Sequence, residues 1–253
     1  MAFLDVENLT IKFGGLTAVD HVNFKVNQGE IFSIIGPNGA GKTTVFNMLT
    51  GVYNVTEGSI EFKGKKIQNQ TAQFIVKEGI ARTFQNIRLF DNCRVIENVL
   101  IGMTIKTNYN FFDVICRTKK YRDVHSKMLN HAVDLLDEIG LANKTDVYAD
   151  SLPYGDQRKL EIARAMATGA ELILLDEPAA GMNPKETDDL MKFIGTLKYK
   201  GYTIILIDHD MKFIMNISDR ILVLNHGKKI AEGLPNEVMT NSDVIAAYLG
   251  GTH

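Results

Sequence analysis

The sequence predicts an α/β fold: a parallel-sheet core, β-rich at its N-terminal side, with a helical segment inserted into it. Three observations carry this. The apolar run Ile31–Ile35 leads through Gly36-Pro37-Asn38-Gly39-Ala40-Gly41-Lys42-Thr43-Thr44 into a helical pattern stopped by Gly51. Two further aliphatic runs, Leu172–Leu175 and Thr203–Ile207, each end in acidic residues, with a helical pattern between them. From Gln85 to about Thr168, helical periodicity replaces strand alternation. The 253 residues therefore read as one domain, with 1–84 and 168–253 forming the core and 85–167 a helical subdomain.

In chain order, Val6, Leu9, Ile11 and Phe13 suggest pleated pieces broken near Asn8. Val22, Phe24 and Val26 then alternate with polar neighbours up to Gln28-Gly29. Phe13 reads either as a packed strand residue or as a flat face for a nucleobase; spacing alone favours packing. Ile31–Ile35 suits a central parallel strand covered on both faces. Residues 36–43 have the spacing G-x-x-x-x-G-K-T, a P-loop, so the core is of the P-loop NTPase type. Glycines 36, 39 and 41 allow a tight turn whose N–H groups face an anion, and the new helix adds its positive end. Lys42 supplies a cation for the outer phosphates, and the Thr43 hydroxyl suits Mg²⁺. Glu57–Gly64 is a short strand between turns.

In the helical stretch, Met128, Ala132, Leu135, Leu136 and Ile139 share one face, ended by Gly140. Lys106, Arg117, Lys119, Lys120 and Arg122 are interleaved with Tyr109, Phe111, Phe112 and Tyr121. With a formal net charge of −2, this reads as a solvated face or a partner-docking patch rather than a nucleic-acid contact. The turn Ser151-Leu152-Pro153-Tyr154-Gly155-Asp156-Gln157 opens a helix over Arg158–Ala167, another anion-binding geometry, weak by itself.

Leu172–Leu175 should be a buried strand with Asp176-Glu177 at its C-terminal end, where open α/β sheets bind ligands. One acid there can hold Mg²⁺ and the other can deprotonate water. Leu190, Phe193, Ile194 and Leu197 mark the next helix, and Thr203–Ile207 the next strand, ending in Asp208-His209-Asp210. His209 would stand at the strand tip, able to donate to a phosphate oxygen. Ile221–Leu224 and Lys228–Ala231 form a hairpin across Asn225-His226-Gly227, and a last helix lies near Asp243–Leu249.

Cys93 and Cys116 lack metal-ligand spacing and read as free thiols. The N-terminal residues carry no basic region or long apolar core, so no signal peptide is expected. No apolar run is long enough to cross a bilayer. A membrane role must come through a partner.

The P-loop, the Leu-Pro-Tyr-Gly-Asp-Gln turn, the Leu-Leu-Asp-Glu-Pro strand end and the Asp-His strand end, in that order, resemble the ATP-binding-cassette ATPases across essentially the whole chain. The resemblance implies ATP and Mg²⁺ as ligands and ATP hydrolysis coupled to transport. It makes Phe13 the adenine-stacking aromatic, reversing the reading from spacing. Gln85 becomes the loop glutamine that meets Mg²⁺ and the attacking water, Asp176 the metal-positioning acid, Glu177 the catalytic base and His209 the γ-phosphate switch. Leu152 to Gln157 would complete the ATP site of a second subunit, and Ala180 to Asn183 would line the dimer seam.

Three features depart from the family pattern. Pro153 and Tyr154 replace a serine and a glycine; proline has neither a hydroxyl nor a backbone N–H, so two possible phosphate donors are missing. Asp156 replaces a glutamine and would repel a nearby phosphate. Asn183 replaces an aspartate. The finer likeness is to the first of the two ATPases of branched-chain amino-acid importers. It rests on Gly79–Gln85, Tyr154–Arg158, Asp176–Pro184, the ending Ala246–Gly250 and the helical insertion after Gly102. It implies a heterodimer with a second ATPase, two membrane-spanning permeases, a solute-binding protein acting indirectly, and a peripheral place on the cytoplasmic face of the inner membrane. The rival readings are the ATPase of lipopolysaccharide export and a soluble cassette ATPase not acting in transport. A docking groove is expected beside Gln85, with Leu89, Phe90 and Val95.

Overall fold

The computed structural model describes residues 2–107 and 111–249, the side chains of residues 111 and 249 excepted. Tyr109, Gly250 and the side chain of Phe111, all named above, lie outside the described residues. Two compact units are present: Met1–Gln85 with Glu171–His253, and Asn86–Ala170.

The first unit contains the strands β1 (Leu4–Phe13), β2 (Leu16–Val26), β3 (Ile31–Ile35), β4 (Glu57–Phe62), β5 (Lys65–Lys66), β6 (Ile80–Arg82), β7 (Leu172–Asp176), β8 (Thr203–Ile207), β9 (Arg220–Asn225) and β10 (Lys228–Gly233). They form a four-stranded antiparallel sheet, β2-β1-β4-β5, and a six-stranded sheet, β10-β9-β3-β8-β7-β6. The second sheet is parallel except for β10, which folds back on β9. Every residue of β3, β7 and β8 is buried, as expected for parallel strands covered on both faces. Phe32, Phe46, Val45 and Leu49 join Val19, Val22 and Phe24 in one continuous core, so both sheets share their apolar filling.

The helices are α1 (Lys42–Leu49), α2 (Ala72–Glu78), α3 (Val95–Met103), α4 (Phe111–Ile115), α5 (Lys119–Glu138), α6 (Tyr154–Ala167), α7 (Pro184–Tyr199), α8 (Met211–Ile217), α9 (Pro235–Met239) and α10 (Ser242–Leu249). α3 to α6 make up the second unit, where the described residues hold no strand. Ala132, Leu135 and Leu136 of α5 are buried, as expected for its apolar face, while Met128 is half-buried; Leu160, Ala163, Met166 and Ala167 of α6 are buried as well. α6 also buries an ion pair, Arg158 to Glu161 at 2.8 Å, with Glu161 accepting the Arg88 N–H as well.

Four expectations need correction. β1 is continuous; Asn8 takes φ 50° and the register shifts around it, so the interruption is a bulge rather than a break. α6 begins at Tyr154, not Arg158. Pro153 caps it, and its carbonyl accepts the N–H groups of Asp156 and Gln157 at 3.0 Å, so Gly155 belongs to the first helical turn. Val95 is fully buried and cannot line a docking groove. β10 runs two residues further than expected, to Gly233. The short elements α2, β6, α8 and α9 were not foreseen.

Candidate functional site

The glycine loop of residues 36–41 leaves the C-terminal end of β3, a central strand, and enters α1. Two of its glycines are required by close approach. A Cβ at Gly36 would lie 2.1 Å from the Leu224 carbonyl oxygen, and one at Gly41 2.9 Å from that of Ala18. Gly41 also has φ 102° as the N-cap of α1. The β9–β10 turn braces the loop: the Gly227 N–H donates to the Ala40 carbonyl at 3.0 Å, while the Gly227 carbonyl accepts from Asp20 N–H at 2.8 Å. A pocket of about 350 Å³ opens here, lined by Leu16, Ala18, residues 38–44, Glu177 and His226.

The Lys42 ammonium donates to the carbonyls of Gly36 at 2.7 Å and Pro37 at 2.9 Å, which keeps it over the loop. Burial lowers its pKa, and the nearby Glu177 and Asp176 carboxylates offset part of that shift. Phe13 is 45% exposed and meets Tyr53 edge-on with ring centroids 5.3 Å apart. Its burial, favoured from spacing, is thus overturned: the residue sits at the strand's end, beyond the pleats that face the core.

Asp176 and Glu177 end β7. Glu177 has φ 46°, a left-handed backbone rare for a non-glycine residue and further restricted by the following Pro178. Its N–H donates to the Ile207 carbonyl at 2.7 Å, pinning the turn to β8. Gln85 Nε2 donates to Glu177 Oε2 at 2.7 Å, and His209 Nδ1 lies 3.6 Å from the same oxygen, near but beyond hydrogen-bond reach. Gln85, Glu177 and His209 are therefore gathered in one place although they are far apart in the chain. Asp208 organises the neighbouring loops. Its buried carboxylate accepts from the N–H groups of His209 at 2.8 Å, Asp210 at 3.0 Å and Ala179 at 3.3 Å.

Asp176 is buried, and its Oδ2 accepts from Arg82 at 2.6 Å. Asp208 and Arg82 were missed from sequence. An arginine ending the otherwise apolar strand Ile80-Ala81-Arg82 was the available signal. Among the described residues no cluster of three or more His, Cys, Asp or Glu side chains could hold a metal by itself. The Thr43 hydroxyl, Asp176 and the Gln85 side-chain carbonyl are nevertheless hard oxygen donors. That set fits a Mg²⁺ ion whose other ligands are phosphates and water.

In the second unit, Leu152 is only 5% exposed, so its side chain packs in the interior. Gln157 Nε2 is turned back to the Leu152 carbonyl at 2.9 Å. Lys144 Nζ lies 2.7 Å from Asp156 Oδ2. The repulsion expected from Asp156 is therefore countered by a cation on the spot. Pro153 as the cap, followed by Tyr154, Gly155 and Asp156, forms the start of α6, the end of a helix that favours an anion. Asn183 caps α7: its side chain accepts from Glu186 N–H at 3.0 Å, and Glu186 accepts from Asn183 N–H at 3.0 Å, with Pro184 in the first turn. Asparagine caps as well as aspartate, so this departure is locally neutral.

Residues 19–180 match the protein family described as "ABC transporter", and residues 228–253 one described as "Branched-chain amino acid ATP-binding cassette transporter". The chain is 47% identical over 248 residues to the high-affinity branched-chain amino acid transport ATP-binding protein BraF of Pseudomonas aeruginosa, covering 98% of this chain and 97% of that one. Identity and coverage are the same for LivG of Escherichia coli, which carries the same description. A crystal structure of the ADP conformation of MJ1267, an ATP-binding cassette of an ABC transporter, superposes with a TM-score of 0.86 at 32% identity, covering 99% of each chain.

Proposed function

Because this chain belongs to the ABC transporter family of ATPases, we propose that it hydrolyses ATP to energise the import of branched-chain amino acids through membrane-spanning permease partners. One observation carries the reading. Glu177 is held beside the phosphate loop by Gln85 and faced by His209, on a chain alike from end to end to named amino-acid transport ATPases. Among the described residues no helix is long and apolar enough to cross a membrane, so contact with the bilayer falls to the partners.

In this reading residues 36–44 wrap the β- and γ-phosphates with backbone N–H groups, and Lys42 exchanges its two carbonyls for phosphate oxygens. Phe13 stacks on the adenine. Thr43, Asp176 and Gln85 would hold Mg²⁺, which when bound neutralises charge developing on the phosphates. Glu177 takes the proton of the attacking water. The Gln85 amide fixes one carboxylate oxygen, which aims the other at that water. His209 donates toward the γ-phosphate from its exposed position. Residues 152–157 reach the ATP of a second cassette subunit, a different chain because Pro153 supplies fewer donors than the family pattern.

Glu177→Gln is expected to lower kcat by about 10²–10⁴-fold, the usual share of a general base, while ATP binding stays within about twofold, as read from a fluorescent ATP analogue. Hydrolysis at the unaltered rate would remove Glu177 from the chemistry. ATP-dependent leucine uptake into vesicles holding the chain and its permeases tests the cargo. Uptake of a different solute class alone would reject that part.

A further inference from the structure

Arg82 has more partners than a strand-end arginine needs. Its guanidinium donates to Asp176 Oδ2 at 2.6 Å and to Asn47 Oδ1 of α1 at 2.7 Å. Its Cζ lies 5.5 Å from the ring centroid of Phe46 and 5.3 Å from that of Phe84, so two aromatic rings also contact the cation. The side chains of Arg82 and Asp176 are each 8% exposed, and Arg82 Nε is buried with no hydrogen-bond partner. An orphaned buried donor is unfavourable. The site tolerates it because the other two nitrogens are fixed by Asp176 and Asn47. A lysine is a point charge and could not span both partners in one plane.

We propose that Arg82 is a positioning residue for the metal step: it grips Asp176 by one carboxylate oxygen, so that the other is aimed at Mg²⁺ arriving with the nucleotide. This rests on reading Asp176 as the metal ligand. The guanidinium also gives Asp176 a standing counter-charge before any metal arrives. Asp176 without nucleotide is then a poor site for a lone divalent cation, and metal capture depends on the phosphates. Through Asn47 the same guanidinium ties the carboxylate's position to α1, the helix that carries Thr43.

The test separates metal from nucleotide. Purified Arg82→Lys, Asn47→Ala and Asp176→Ala chains are titrated with a fluorescent ATP analogue in EDTA, then with Mn²⁺ followed by electron paramagnetic resonance. Thermal unfolding checks each fold. In Arg82→Lys the Mn²⁺ concentration for half-saturation with ATP present should rise about tenfold, equivalent to about 1.4 kcal/mol, with the metal-free ATP Kd within about twofold. Asn47→Ala keeps the ion pair and should shift Mn²⁺ in the same direction by about threefold. It decides the matter should Arg82→Lys fail to fold. If Asp176→Ala leaves Mn²⁺ binding intact, the metal-ligand reading fails. If Asp176→Ala weakens Mn²⁺ but neither Arg82→Lys nor Asn47→Ala does, or if metal-free ATP binding falls equally, the role of Arg82 is overturned while that of Asp176 stands.

Discussion

Glu177 shows how much of the candidate site's geometry depends on one backbone angle. At φ 46° it leaves β7 turned away from the strand's pleat, and only there do Gln85 and His209 converge on it. Strained non-glycine residues of this kind persist where surrounding contacts over-determine them. Phe13 makes the complementary point: a face left exposed at a strand end is available to a base. Phe13→Ala is expected to weaken ATP binding about tenfold, one base stack being worth about 1–3 kcal/mol, while inorganic triphosphate binds unchanged in a competition assay. Lys42 brings a pH dependence. Because burial lowers its folded pKa below the usual 10.5, the folded chain gives up this proton at lower pH than the unfolded chain does. Between the folded pKa and 10.5 the unfolded state holds more protons, so this group's penalty on stability shrinks as pH rises. Phosphate attraction runs the other way and is lost with the proton. ATP affinity should therefore fall on the alkaline side earlier than for an exposed lysine. Lys42→Arg, charged throughout, should flatten the profile, as measured by Kd across the alkaline range.

At the scale of elements, the start of α6 carries two of the three departures from the family pattern, and a neighbouring turn offsets one of them. Lys144 comes from a separate turn twelve residues before Asp156 and meets it at 2.7 Å. Both side chains are partly exposed, so the pair adds at most about 1 kcal/mol to stability; its consequence is for the field at the helix start. Lys144→Ala is expected to slow hydrolysis by the assembled transporter several-fold, and Lys144→Ala with Asp156→Asn to restore it, as read by phosphate release. Unchanged turnover in both would mean that the start of α6 faces no phosphate. The sequence made the long periodic elements legible: β3, β7 and β8 by continuous apolarity, α5 and α7 by a repeating face. It did not reveal α2, α8 and α9, each of about two turns or fewer, too short for periodicity to register. The start of α6 was misplaced because Gly155 resembles a turn residue until Pro153 is seen as its cap. Of the candidate site, the loop, the paired acids and His209 were legible because their spacing is local. Arg82 with Asp176, and Lys144 with Asp156, are contacts across the chain that no local pattern encodes.

For the whole molecule the question is how ATP turnover reaches a membrane partner. In the second unit Phe90 is 47% exposed, with Arg164 Cζ 5.4 Å from its ring centroid. Its backbone is clamped by the fully buried Asn98, which accepts the Phe90 N–H at 2.9 Å and donates to its carbonyl at 3.1 Å. A large apolar ring on a rigid loop suits a docking contact. Phe90→Ala should leave ATP binding within about twofold yet lower transport per ATP by about tenfold in reconstituted vesicles; full transport would locate the coupling surface elsewhere. The turn between β9 and β10 has a practical side too. Hairpin tips ordinarily forgive inserted sequence, and residues 225–227 look like an inviting place to splice an epitope or a fluorescent reporter. Here Gly227 buttresses Ala40 directly, so such a graft would distort the glycine loop from behind. A splice at Lys63-Gly64, between β4 and β5, would meet the Phe3 carbonyl and the Glu171 carboxylate instead.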